Sequence, residues 1–483
     1  MISLVLERAR IVDGTGGPAF TTDVGIAGKR IALIGDLSHR EAYRRIDCRG
    51  KTLAPGFIDC HSQDEQRWQS DSRFVSKLSA GVTTVVIGNC GRGSQQSVDA
   101  TLRAIAHERP TLNVGLLHGL AAVPSAGDVR DACEQGAFGV SDDRRVARDT
   151  PGAQAALAAA LAAAREAGRP LYAAHLRDYG TGVEDALDEA LDVARHAEVA
   201  LLCERLGARD RARGSAHRLL ERIDRARASG TPAYADCYPY VATWDYLRDL
   251  LPPQLRVLPD ARLRETLNDP AFAATLALAL TARVGDRWAH VTIASVPGEE
   301  WMDLCGEGIE DIARARRLSP ARAAVEILRE AGGAVRTFDR SLDEDDVATI
   351  LAAEFTTVGS CAPSYALDTG VYGMVHPRAF GTFARIFGRY VRGRRAFDAI
   401  EAVRKMTGLP ARIFGLRERG TIEIGAYADI VVFDAETIAD TATYARPASL
   451  SVGIEHVLVN GQMAMSRGEL TNARAGEALR AGG

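Results

Sequence analysis

The alternation of apolar and polar positions changes character twice along the 483-residue chain. VLERARIVDG, DVGIAGKRIALIG and RIDCRGKTLAPG are short alternating runs punctuated by Gly-containing turns, a pattern that predicts strands near the N-terminus. GTIEIGAYADIVVFD and GIEHVLVNGQMAMSRGE repeat that texture near the other end, the second around an Asn-Gly turn. Between Pro55 and about Gly415 the rhythm is different. FIDCHS, GVTTVVIGNCG, NVGLLHG, PLYAAHLRD, VALLCERLG, TPAYADCYPY and FTTVGSCAP read as apolar strands. Most are separated by stretches of helical period such as AALAAALAAAREAG and VEDALDEALDVARHA. Strands alternating with helices predict a parallel sheet, and this many units favours a closed barrel over an open sheet. Residues 260–350 are helix-rich and charged, which suits either the outer part of one barrel unit or a lid.

Composition narrows the setting without changing this picture. A hydrophobic content of 46% supports a sizeable core, and a net charge of −4 offers no basic surplus for nucleic acid or an anionic membrane. MISLVLERARIVDG meets charge too soon for a signal peptide or a membrane span, so the cytoplasm is the expected location. The eight cysteines include no CxxC pair. Most are expected as buried thiols, with one or two available for metal or catalysis.

A barrel of this type builds its chemistry where strands end on the C-terminal face. The candidates at those positions are His61, Cys90, His175, Cys203 with Glu204, Cys237 and Cys361, and His118 ends a further strand. Imidazole, thiolate and carboxylate are zinc-ligand chemistry. His118 is expected as a loop hydrogen-bonder, and Glu204 has two open readings, metal ligand or ion-pair partner of Arg177 or Arg205.

PGFIDCHSQDE, GVTTVVIGNCG, YAAHLRD, ADCYPYVA, HPRAFGTFARIFGRYVR, KMTGLPARIFGL and GAYADIVVFD, in this order, resemble the D-aminoacylase (N-acyl-D-amino-acid deacylase) branch of the amidohydrolase superfamily. The resemblance implies an α/β fold: a TIM-like (β/α)8 barrel over residues 55–412, with a small β-sandwich formed by both chain termini, 1–54 and 413–483. It also implies a metal site from which this sequence departs. The family's HxH becomes His61-Ser62-Gln63. Cys90 and His175 are kept. Glu204, in Cys203-Glu204-Arg205, stands where a His ligand is expected, and Cys361, in Gly359-Ser360-Cys361-Ala362, replaces the Asp that serves as base and ligand.

The implied metal set is therefore Cys90, His175 and Glu204, holding at most one zinc ion, with His61, Cys361 and Glu204 as the catalytic candidates. Arg378, at the HPR position, is expected to grip a substrate carboxylate through two parallel hydrogen bonds. Tyr238, Tyr240 and Gln63 are expected to line the pocket. A segment that walls the family's pocket is shortened here to GAFGVSDDRRVARD and carries many charges.

The expected function is hydrolysis of an amide or other C–N bond in a small, N-acyl-amino-acid-like substrate. Two alternatives stand beside it: a metal-free barrel enzyme using Cys361 or Cys203 for acyl transfer, cyclisation or lyase chemistry, and a non-catalytic ligand-binding homologue. The expected partner is a small-molecule substrate, without nucleic acid or membrane, and self-association is left open.

Overall fold

The computed structural model describes all residues except 66, 70, 94–96, 146–149 and 483. Its centre holds eight parallel strands: β1 (Phe57–Asp59), β2 (Val82–Ile87), β3 (Asn113–Leu116), β4 (Val140–Asp143), β5 (Leu171–His175), β6 (Ala200–Glu204), β7 (Ala233–Cys237) and β8 (Thr356–Val358). β1, β2 and β3 pair in that order. Beyond Leu117 the third strand resumes as His118–Gly119, which pairs with β4, and the series continues through β5, β6 and β7 to β8. The last strand then returns to the first. Ser62 and Ala362 form a parallel pair, and the Cys361 N–H donates to the His61 carbonyl at 2.7 Å. This order is that of the expected TIM-like barrel.

The strands are buried on both faces, as strands covered by crossover helices must be. All six residues of β2, VTTVVI, are inaccessible. The helix Val183–Ala197 shows how the sequence sets the outer layer. Val183, Ala186, Leu187, Ala190, Leu191 and Ala194 repeat at helical spacing and are buried, while Glu184 and Asp185 open the helix and Arg195 and His196 close it. In the alanine-rich helix Pro151–Glu166, the Thr150 side chain accepts from the Ala153 N–H and Pro151 occupies the first turn.

Both chain ends join one nine-stranded sheet. Ile2–Ile11 pairs with Phe20–Ala27 on one side. On the other it pairs with Ala42–Asp47 along its first half and Thr52–Pro55 along its second. The C-terminal strands Ile430–Phe433, Ile454–Val459 and Gln462–Ser466 continue outward from Thr52–Pro55. This fork lets the two branches enclose a core of their own, including Leu6, Ile11, Val24, Ile26, Leu53, Ile430 and Leu458.

The helix-rich segment is an insertion between β7 and β8 with its own sheet and core. Arg336–Asp339 lies between Thr243–Tyr246 and Val291–Ser295, antiparallel to both. The helices Pro270–Val284 and Pro320–Ala331 close over Leu276, Ile293, Val325 and Leu328. Arg209–Asp245 and Arg287–Asp210 ion pairs tie this insertion to the C-terminal ends of the barrel strands. Among the described residues no helix is long and apolar enough to cross a membrane.

Candidate metal centre

Three side chains converge at the barrel mouth. His61, two residues beyond β1, Cys90, three beyond β2, and Glu204, the last residue of β6, place ligand atoms within 4.8 Å of one another, and all three are buried. His61 Nε2 stands 3.3 Å from Cys90 Sγ. Behind the imidazole, Nδ1 is 2.9 Å from Asp236 Oδ2, so the carboxylate fixes the ring with Nε2 facing inward. Cys90 has a left-handed backbone (φ 54°), which turns its N–H toward the Glu204 carboxylate at 2.9 and 3.1 Å. A zinc bound tetrahedrally by nitrogen at about 2.0 Å and sulfur at about 2.3 Å holds those atoms about 3.5 Å apart. The imidazole–thiol spacing fits such an ion, and the donor set is one nitrogen, one sulfur and one carboxylate.

Two glycines make this convergence sterically feasible. A Cβ on Gly88 (φ +88°) would meet the Leu117 carbonyl oxygen at 2.2 Å, so the turn carrying Cys90 requires glycine. A Cβ on Gly359 would lie 2.6 Å from the His61 Cβ and 3.0 Å from Asp236 Oδ1. We expect Gly359→Ala to destabilise the fold by about 1–3 kcal/mol through overpacking. It should also push His61 off Asp236, so that metal affinity falls further than the thermal midpoint alone would account for.

Cys361 stands beside this cluster and differs from it electrically. Its backbone is also left-handed (φ 49°), and the Gln63 amide Nε2 lies 3.4 Å from its sulfur. Burial would raise the thiol, but Arg205, His61 and Arg378 outweigh that and bring it down to about 6. Cys90 goes the other way: burial and then the Glu204 carboxylate push it up to about 12. Glu204 itself rises to about 8, chiefly through burial with Asp236 adding, against His61 and the Cys90 N–H. Burial alone would lower His61, yet Asp236, Cys361, Cys90 and Glu204 together hold it well above its ordinary value. The pocket is thus shared between a proton-holding ligand group and one thiol poised to ionise.

His175, expected among the ligands, lies outside the converging cluster. Its Nδ1 sits 3.2 Å from the Leu176 carbonyl and its Nε2 3.4 Å from Arg205 Nη1, so the lone pair faces a guanidinium. Burial, then Arg145, Arg205 and Arg209, keep this ring neutral. His61 takes the place in the cluster that the sequence assigned to His175. Arg177 grips Glu189 at 2.8 and 3.1 Å, while the Glu204 carboxylate accepts from the Cys90 backbone. Cys203 points into the hydrophobic core beneath the helices. His118 is half-buried, and its N–H donates to the Gly139 carbonyl.

On the opposite wall, Arg378 is 3% exposed, and its Nε and Nη1 have no hydrogen-bond partner among the described residues. Its guanidinium lies 4.8 Å from the Tyr238 ring, with that of Arg205 at 6.0 Å. Tyr240 shares a small buried cluster with Tyr238 and Cys361, but its hydroxyl is directed to Asp440 and the Pro377 carbonyl, both at 3.4 Å. Of the shortened GAFGVSDDRRVARD segment, residues 146–149 fall outside the described residues.

The Amidohydrolase family model matches residues 345–465. An N-acyl-D-glutamate deacylase of Alcaligenes xylosoxydans xylosoxydans is 36% identical over 95% of this chain and 93% of its own length. The chain belongs to the D-aminoacylase branch of the amidohydrolases. A D-aminoacylase of the same organism is 31% identical, covering 99% of this chain and 97% of that protein. The crystal structure of N-acyl-D-glutamate deacylase from Bordetella bronchiseptica, complexed with zinc and a phosphonate mimic of the tetrahedral intermediate, aligns with a TM-score of 0.80 at 30% identity, over 99% of this chain and 100% of that one.

Proposed function

We propose that this chain is a one-zinc deacylase that hydrolyses the amide of an N-acyl-D-amino acid. The observation that carries the reading is the convergence of His61, Cys90 and Glu204 at the barrel mouth, with Asp236 behind the imidazole. The relatives named above supply the substrate class and the zinc. A zinc held by His61 Nε2, Cys90 Sγ and the Glu204 carboxylate would supply Lewis acidity and lower the pKa of water.

The remaining roles belong to the chain's own groups. Arg378, desolvated and supported by the face of Tyr238, presents unpaired N–H donors to the substrate α-carboxylate. The Cys361 thiolate, facing Arg205 and Arg378, takes the proton from the attacking water and returns it to the departing amine nitrogen. Water oxygen bonds to the acyl carbon, the C–N bond breaks, and a carboxylic acid and a free amino acid leave. The Gln63 amide, within reach of Cys361 Sγ, orients the thiolate.

A metal-free mechanism with Cys90 as the nucleophile is favoured by the Cys90–His61–Asp236 alignment. The elevated Cys90 thiol argues against it, since a nucleophile must first ionise.

The test is hydrolysis of N-acetyl-D-glutamate, N-acetyl-D-leucine and their L enantiomers by protein stripped with a chelator and reloaded with zinc. Release of free D-amino acid that depends on zinc supports the reading. No turnover of any substrate by the zinc-loaded protein, or full turnover by the stripped protein, overturns it. Arg378→Lys should raise KM by at least about tenfold with a smaller change in kcat, because an ammonium cannot make the paired donor contact.

A further inference from the structure

The barrel closes thinly where its last strand meets its first. Ser62 and Ala362 pair there, with the Cys361 N–H on the His61 carbonyl at 2.7 Å and the Gln63 N–H on the Ala362 carbonyl at 3.3 Å. A buried lysine reinforces this seam. Lys77, on the short helix Val75–Leu78, is 1% exposed, yet its ammonium meets three acceptors. They are Asp59 Oδ2 at 2.5 Å, the Ser360 hydroxyl, and the Ala362 carbonyl at 2.8 Å. An ammonium has three protons, so each one is used.

Asp59 completes the network. Its Oδ2 also accepts from the Ser360 hydroxyl at 2.6 Å, and its Oδ1 from the Ser360 N–H at 2.9 Å and the His61 N–H at 3.3 Å. The Ser360 hydroxyl accepts in turn from the Ala362 N–H at 3.2 Å. Lys77 and Asp59 thus fix the residue before Cys361 and the residue after it. Cys361, between them, has its left-handed backbone at φ 49°. A residue with a side chain keeps that conformation when its surroundings over-determine it. An apolar side chain would fill the space of Lys77 without desolvating an ammonium and a carboxylate. It could not grip both flanks of Cys361 at once.

We propose that Lys77 is a positioning residue for deacylation, acting through Ser360 and Ala362 to hold the Cys361 thiol beside Gln63 in the orientation that proton transfer requires. The inference rests on the deacylase reading for its reaction. It adds a residue whose own partners include none of the zinc ligands.

The test uses zinc-loaded protein and two variants. Lys77→Met keeps the reach of the side chain and removes its donors, but it strands the Asp59 carboxylate. Lys77→Met/Asp59→Asn leaves no buried charge unmatched, and its amide oxygen can still accept the His61 N–H, which protects the fold and the ligand. The expected result is kcat lowered by about 10–100-fold, with KM within about twofold and zinc content unchanged. In a Cys361→Ser background the same substitutions should cost less than about twofold, because the group that Lys77 positions is gone. Hydrogen exchange read by mass spectrometry adds a measure free of catalysis. Exchange in the peptide carrying Ser360–Ala362 should quicken by at least about tenfold, with β2–β4 unchanged.

Three results each overturn the proposal while leaving the deacylase reading intact: kcat within about twofold of wild type in the double variant, an equal loss in the Cys361→Ser background, or uniform exchange along the chain. If the parent turns over no substrate, the deacylase reading fails instead, and exchange alone decides whether Lys77 holds Cys361. Quickening confined to Ser360–Ala362 supports that hold. Unchanged or uniform exchange overturns it.

Discussion

Glu204→Gln should leave the protein with below about a tenth of an equivalent of zinc and at least about a hundredfold slower in deacylation, since losing an outer-shell partner alone costs about 10–100-fold at such sites. The substitution is nearly isosteric, and the amide oxygen can still accept the Cys90 N–H that now reaches the carboxylate at 2.9 Å. The turn carrying Cys90 therefore has no reason to unfold. What the variant lacks is the charge. Buried as it is, Glu204 carries a carboxyl raised to about 8, and Cys90 a thiol raised to about 12. Both hold protons at neutral pH until a cation displaces them, so zinc uptake must release protons and must weaken as pH falls. Metal analysis by mass spectrometry, thermal melting and turnover on one preparation separate the contributions. Asp236→Asn, which leaves His61 a ligand but loosens its orientation, should lose about 10–100-fold in zinc affinity and retain bound metal at high zinc. Full turnover by metal-free Glu204→Gln would exclude the proposed centre.

Much of this site could be read from the strand ends. His61, Cys90, Glu204 and Cys361 follow apolar runs at positions where a barrel exposes side chains at its mouth, and the pattern identified them without coordinates. It could not rank His175 below His61. Both end strands, and only the packing shows that Arg205 caps the His175 lone pair while Asp236 turns His61 inward. Asp236 itself lay unnoticed beside Cys237 in ADCYPY. Its signal was an acidic residue inside an apolar strand, which is rarely buried without a partner.

The parallel order of the eight strands was likewise legible, because alternating strand and helix periods leave few topologies. The insertion was less so. Its helices were visible from 260 onward, but its sheet joins strands at 243–246, 291–295 and 336–339, and separations of that size leave no local trace.

Cys361→Ser should reduce kcat by about 10²–10⁴-fold while leaving zinc content unchanged, because it removes the proton carrier and spares the ligands. The thiol is held near 6 by Arg205, His61 and Arg378 acting against burial. Turnover in the parent chain should therefore rise through about pH 6 as the thiolate forms, then level off. The same shift has a consequence for stability. With a folded value of about 6 against 9.0 for a free thiol, the thiolate's contribution is fully present above pH 9, declines as pH falls, and is gone below about 6. The serine variant should lose stability relative to wild type at pH 8 more than at pH 5. Cys361→Asp provides the complementary result. A carboxylate facing the same two arginines stays ionised to lower pH, so the acidic limb of the rate profile should move below that of the parent. A serine variant with unchanged kcat and an unchanged acidic limb would show that the proton travels by another group. The Asp variant would then have no reason to shift the profile, so the two measurements together decide whether this barrel has transferred the role of a carboxylate to a thiol.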